Sequence, residues 1–295
     1  MSQTDVSCVL AADDLLGEGP VWSERQGALY WVDIKRPALR RWTPGTGTGA
    51  VTDWPLPADV GSFALRTRGG AVVALRTGLH LLDLDSGALT AVCDPEEGRP
   101  ENRFNDGKCD RRGRFWAGTM RDDESAPDGS LYRLDADHSC TRVLSGIICS
   151  NGLGWSPDGT TMYYTDTWTR RIDAVEFDPD TGALGARRVF ARDDVPGEGV
   201  PDGLTVDSEG GVWSAKWDGW RVVRYAPDGS VDRVVPMPVQ RPTSVAFGGP
   251  DLGTLYVTSA RIGLDPAALR QAPRSGGLFA LDPGVRGLPE PEYAG

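Results

Sequence analysis

The chain has 295 residues, among them 38 Gly and 22 Pro, and a formal net charge of −11 from 31 basic and 42 acidic side chains. So acidic a protein is repelled by phosphate backbones and anionic bilayers, and no apolar run approaches the ~20 residues that cross a membrane, so neither nucleic acid nor membrane is an expected partner. The start, Met1 to Asp5, has neither a basic residue nor an apolar stretch, and Cys8, Cys93, Cys109, Cys140 and Cys149 form no CxxC pair, so reduced thiols, most of them buried, in a cytoplasmic protein are expected.

In chain order, a short apolar run at Ser7–Leu10 precedes six copies of one degenerate pattern. The copies open at Glu18, Gly61, Asn105, Asn151, Asp202 and Thr243, spaced 41 to 51 residues apart. Each leads through a glycine (Gly27, Gly69, Gly113, Gly159, Gly210, Gly253) into a second, aromatic or β-branched run such as Leu29–Val32 or Val212–Ala215. Two further runs complete the unit. In the fourth copy these are Ile172–Phe177 and Arg188–Phe190, separated by Asp178-Pro-Asp-Thr-Gly182. Turn chemistry at each corner makes the unit a four-stranded antiparallel meander, and its period is that of a propeller blade. Helical periodicity is confined to a turn or two at Pro266–Arg270. The predicted fold is therefore all-β: one six-bladed β-propeller domain over residues 1–295. The sixth copy runs out after Gly277–Asp282, so Ser7–Leu10 is predicted to supply its outer strand and close the ring.

First strands of a propeller line a central channel, so the six opening residues are expected in a ring at one mouth. The second-strand ends Asp33, Thr77, Met120, Asp166, Lys216 and Ser259 join them on that face. Asn and Asp also open strands for their turn chemistry alone, but Glu18, Asn105, Asn151 and Asp202 share one register. Glu18, Asp202 and the amide oxygen of Asn151 offer three hard oxygen ligands and a charge of −2, a set suited to one divalent cation: Ca²⁺, Mg²⁺ or Mn²⁺, or else Zn²⁺ or Fe²⁺. His80 and His138 fall outside the repeat positions, which argues against Ser/His/Asp catalysis and for surface roles. Arg103, beside Asn105, either grips a ligand or pairs with Glu96, Glu97 or Glu101. The run Arg121–Glu124 either closes over the mouth or is simply solvated, and the Trp-rich second strands read as core between blades.

Taken together and in order, GEGPVW from Gly17, RFNDGK from Arg103, GRFWAGTM ending at Met120, SNGLGWSPDG from Ser150, VPDGLTVDSEGGVW from Val200, FGGPDLGTLYVTSAR ending at Arg261 and the terminal EYAG resemble the senescence-marker-protein/gluconolactonase/regucalcin family of metal-dependent lactonases. The similarity covers nearly the whole chain. It implies a six-bladed propeller with one divalent cation held by Glu18, Asn151 and Asp202. It also implies substrate contacts from Arg103 and Asn105, a pocket lined by Met120, and a further contact from the acidic residue three positions on, here Asp123 where related proteins often carry Glu. The segment Asp122 to Gly129 is shorter than in regucalcin. The implied activity is that of a carboxylic ester hydrolase, opening a glucono-, galactono-, xylono- or arabinono-lactone to its aldonic acid, with Asp202 moving a proton to or from the attacking water. The alternatives are a related metal-dependent esterase or organophosphate hydrolase, and a Ca²⁺-binding regulatory protein without turnover. Which sugar, which metal, the oligomeric state, and which of Asp122, Asp123 and Glu124 meets the substrate are left open.

Overall fold

A computed structural model describes residues 5–45 and 51–295; the expectation drawn from Met1–Thr4 lies outside the described residues. Among the described residues, twenty-four strands form six separate four-stranded antiparallel sheets. Five are consecutive meanders whose innermost strands are Gly17–Ser23, Val60–Leu65, Asn102–Cys109, Ser150–Trp155 and Val200–Val206. The sixth has the spatial order Pro242–Gly248, Thr254–Ser259, Leu278–Leu281, Ser7–Leu10. The expected closure is therefore present: Ser7 pairs with Ala280 and Cys8 with Phe279, which leaves the ring without an open seam. The one α-helix among the described residues, Pro266–Gln271, is capped by Asp265 accepting from the Ala267 and Ala268 amides. No helix among them is long and apolar enough to cross a membrane.

The core follows from strand periodicity. Successive side chains of a strand point to opposite faces, and each blade is sandwiched between two others, so a second strand must be apolar on both faces. Ala28–Asp33 and Ala71–Leu75 are buried at every position. Tyr30 and Val32 enter the seam between blades one and two with Phe63 and Val73, while Leu29 and Trp31 enter the seam between blades six and one with Leu10, Tyr256 and Leu278. Six apolar clusters result, one for each seam. Each large side chain buried in them contributes about 1.5–3 kcal/mol. The Trp-rich strands are core, as expected. Three of these indoles find buried carboxylates: Trp31 Nε1 donates to Asp14, Trp116 to Asp110 and Trp213 to Asp207, at 2.8–2.9 Å, and Arg40, Arg114 and Arg224 pair with the same three aspartates.

At the lower end of the ring the first and second strands join in hairpins. Gly27, Gly69, Gly113, Gly159 and Gly210 take left-handed φ there, the role their spacing suggests. The sixth hairpin differs, because Leu252 rather than Gly253 adopts positive φ. The segment after Leu281 has a role the repeat did not suggest: it crosses this lower face. Ser208 N donates to Arg286 O, Gly287 N to Leu252 O, Tyr293 N to Leu65 O and Ala294 N to Gly113 O. Tyr293 is 0% exposed, its hydroxyl donating to Asp135 O and lying 2.9 Å from His138 Nδ1. Cys109 and Cys149 are buried, Cys93 and Cys140 half-buried and Cys8 exposed, all as free thiols. Fewer are therefore buried than composition suggested.

Candidate metal centre and substrate channel

All six innermost strands break register with their neighbours at one level: between Glu18 and Val21, Val60 and Ser62, Phe104 and Gly107, Asn151 and Leu153, Pro201 and Leu204, and Pro242 and Val245. A bulge inserts a residue into one strand and re-aims the side chains beside it. The repeat residues sit at these bulges, so the recurring motif encodes a ring of re-aimed side chains as well as a strand start. The glycines within it have a steric origin. A Cβ on Gly152 would lie 2.6 Å from Asp202 O, and one on Gly61 would lie 2.5 Å from Asn105 O, so adjacent inner strands approach too closely for any side chain.

Glu18, Asn151, Asp202, Asn105 and Arg103 are all buried. Asn151 Nδ2 donates to Thr167 Oγ1 at 3.1 Å, which orients the amide, while Asn151 Oδ1 and Asp202 Oδ1 are buried acceptors with no hydrogen-bond partner. A buried orphan acceptor costs roughly 1–3 kcal/mol, and two on neighbouring inner strands beside Glu18 are a donor set that a cation would satisfy. Burial, with repulsion from Asp202 and then Asp106, pushes Glu18 well above the usual carboxylate range. Burial and then Asp106 do the same to Asp202. Among the described residues no three His, Cys, Asp or Glu side chains are gathered as a closed metal site. The third donor here is the Asn151 amide, and a set of two carboxylates and one amide oxygen fits a hard divalent cation that keeps other positions open.

Asp106 was not singled out from sequence. It neighbours Asn105, and strict alternation would send the two to opposite faces; the bulge between Phe104 and Gly107 removes that alternation. Burial raises Asp106 to about 6, with Lys108 opposing. Lys108 Nζ in turn bonds Leu204 O at 3.2 Å and Glu290 Oε1 at 3.1 Å, so the tail residue Glu290 reaches the lower channel.

Arg103 Nη1 donates to Asn105 Oδ1 at 2.7 Å, and Asn105 Nδ2 donates to Ser150 O at 2.8 Å. The Arg103 partner is Asp122, at 2.6 Å from Nε, rather than Glu96, Glu97 or Glu101. Glu96 instead accepts from Asn102, Thr119 and Tyr132. Met120 is fully buried, with its sulfur 3.6 Å from Cys149 Sγ. Asp123 is not brought into this group. Its side chain is 58% exposed, because Oδ1 accepts from Ser125 N and Oγ in a local turn and pairs with Arg121. Its neighbours have partners of their own: Asp122 meets Arg103, and Glu124 accepts from Nε1 of the exposed Trp168 at 2.7 Å, with a charge felt at Asp202 and Cys149.

The other second-strand ends are mostly structural. Asp33 accepts from the Leu15, Leu16, Lys35 and Arg36 amides, and Asp166 from those of Ile148 and Cys149. Ser259 Oγ bonds Gly277 O. Lys216 is buried on Asp193 at 2.6 Å, and Thr77 is exposed. His138 is exposed and His80 half-buried, and neither enters the channel mouth.

Residues 16–261 match the family described as SMP-30/gluconolactonase/LRE-like region. The chain is 41% identical to 6-deoxy-6-sulfogluconolactonase of Pseudomonas putida and 39% identical to regucalcin of Xenopus laevis, in both cases over the full length of each protein. Its fold is similar to that of a calcium-binding protein, regucalcin, of Agrobacterium tumefaciens, with a TM-score of 0.89, 35% identity and coverage of 95% of this chain and 94% of that one. The chain belongs to the SMP-30/gluconolactonase/LRE-like family.

Proposed function

We propose that this protein hydrolyses a sugar aldonolactone to its aldonic acid, with one divalent cation held by Glu18, Asn151 and Asp202. The observation that carries this reading is the pair of orphaned acceptors, Asn151 Oδ1 and Asp202 Oδ1, with Asn151 and the Arg103-bonded Asn105 both reaching Cys149 Sγ at 3.9 Å. The names of the lactonase relative and of the family support the same activity.

When bound, such a cation supplies Lewis acidity toward an acyl oxygen. The chain's own groups do the rest. Asn105 and Arg103 form a coupled donor–acceptor pair that orients ring hydroxyls above the carboxylates. Asp202, holding the cation through one carboxylate oxygen, would take a proton from the attacking water at the other and return it to the ring oxygen as the acyl–oxygen bond breaks. Met120 and Cys149 form an apolar wall that limits water around the reacting carbon. An aryl-ester or organophosphate substrate is disfavoured by the charged mouth of Lys35, Arg76, Arg103 and Asp122.

The experiment is lactone hydrolysis by metal-stripped protein, followed by readdition of Ca²⁺, Mg²⁺, Mn²⁺, Zn²⁺ and Fe²⁺ in turn, read by proton release on five- and six-membered aldonolactones. Activity restored by a metal on one class of lactone is expected. Stoichiometric metal binding with no turnover on any lactone would replace this reading with a cation-binding regulatory role.

A further inference from the structure

In a chain of net charge −11, three cations crowd one arc of the channel mouth. Lys35 follows the second strand of blade one, Arg76 follows that of blade two, and Arg103 opens the inner strand of blade three. All three converge on the carboxylate of Asp122. Oδ1 takes Arg103 Nε at 2.6 Å and Lys35 Nζ at 3.0 Å, and Oδ2 takes Arg76 Nη2. Asp59 is the other anion of the group, 2.7 Å from Lys35 and 3.2 Å from Arg76. The five side chains therefore carry a net charge of +1 with Asp122 seated and +2 without it. A surface ion pair needs one cation, so three on one carboxylate exceed what fastening a loop requires.

Two further facts give the arrangement direction. Arg103 belongs to both places: it donates to Asn105 inside the channel, its charge is felt at Glu18, and it also grips Asp122. Asp122 stands at the stem of the short segment 122–128, whose tip at Asp123 and Ser125 is exposed, while Lys35 and Arg76 are anchored in tight turns on the rigid ring. The seated anion is therefore on a loop and the cations are on the ring.

We propose that Lys35, Arg76 and Arg103 form an anion subsite for the substrate, that the lactone carries a sulfonate, phosphate or carboxylate group on the carbon remote from its carbonyl, and that Asp122 fills the subsite until that group displaces it. The subsite rests on the lactonase reading for its substrate but not for its anion binding. It gives specificity by charge-assisted hydrogen bonds, and Asp122 excludes neutral sugars weakly by holding the mouth narrow.

The test compares kcat/KM of the metal-loaded protein on gluconolactone with that on its 6-sulfo, 6-phospho and 6-carboxylate counterparts. At least one anionic lactone should exceed the neutral one about tenfold or more, and the order among the three identifies the group. Lys35→Met and Arg76→Met should each shrink that ratio several-fold, as should added salt, with thermal unfolding verifying that the variants are folded. Ratios at or below one for all three anions, or a ratio that neither variant moves, would overturn the proposal. If no lactone is turned over with any metal, the lactonase reading fails separately. Calorimetry with open-chain 6-sulfogluconate against gluconate then decides the subsite: tighter binding of the sulfonate that Arg76→Met abolishes upholds it, and equal binding removes it.

Discussion

The two mouths of the channel are made by the same six strands and treat polar groups in opposite ways. Below, buried carboxylates turn back on their own scaffold: Asp110 and Asp207 each take a Trp indole and an Arg, and residues 286–294 seal the opening through backbone hydrogen bonds. Above, Asn151 Oδ1 and Asp202 Oδ1 are left without partners, and burial raises the proton affinity of Glu18, Asp106 and Asp202, with the charge of Asp106 adding to the rise at the other two. The lower mouth is satisfied and adds stability. The upper mouth carries an electrostatic cost that bound protons reduce and a cation would relieve, and the fully packed seams elsewhere offset it.

Substitutions at the two mouths should therefore separate. Asp202→Ala should abolish cation binding and lower lactone turnover about a thousandfold while leaving a folded protein. Circular dichroism, metal stoichiometry and proton release measure the three, and a folded variant that keeps both metal and turnover would sink the proposed mechanism. At the other mouth, Tyr293→Ala should cost about 3–5 kcal/mol of stability through the cavity it leaves. Its turnover below the unfolding transition should stay near that of the parent, as denaturant titration alongside a low-temperature assay would reveal.

A subtler distinction comes from pH. Glu18 and Asp202 have raised values when folded, so the metal-free folded state binds protons more tightly than the unfolded chain. Its stability falls as pH climbs from the ordinary carboxylate range through those raised values. A cation takes the protons' place, so the gain in Tm on adding Ca²⁺ should be larger at about pH 8 than at about pH 5. A gain independent of pH would mean that these carboxylates are not the ligands. The smallest effect separates neighbours on one loop: Asp123→Ala should change turnover less than about twofold, whereas Glu124→Gln, which loosens Trp168, should raise KM several-fold. The reverse ranking would return Asp123 to the role that resemblance alone suggested.

What the sequence made legible was whatever repeats. Six copies supplied their own alignment, so the blades, the Ser7–Leu10 closure and the shared register of Glu18, Asn105, Asn151 and Asp202 could all be read from it. Features set by long-range partners could not. Asp33 and Asp166 look like channel residues by position, but their carboxylates are used up on backbone amides. Asp106 is hidden by the alternation rule that its bulge breaks. The choice among Asp122, Asp123 and Glu124 depends on a turn closed by Ser125 and on Lys35 and Arg76 from two other blades, and those two cations are far from the loop in sequence. The tail across the lower face belongs to no repeat, so the pattern gave it no role.

The pairing of Ser7–Leu10 with Leu278–Leu281 also sets a clock on biosynthesis. Ser7–Leu10 has no partner until some 270 residues after it have been made, which at roughly 5–20 residues per second is a wait of about a quarter of a minute to a minute. Blades one to five can assemble in order during that time, each on the seam of the last. The ring itself becomes whole only once Leu278–Leu281 has emerged, so a chain that stops short of it carries an unpaired sheet edge.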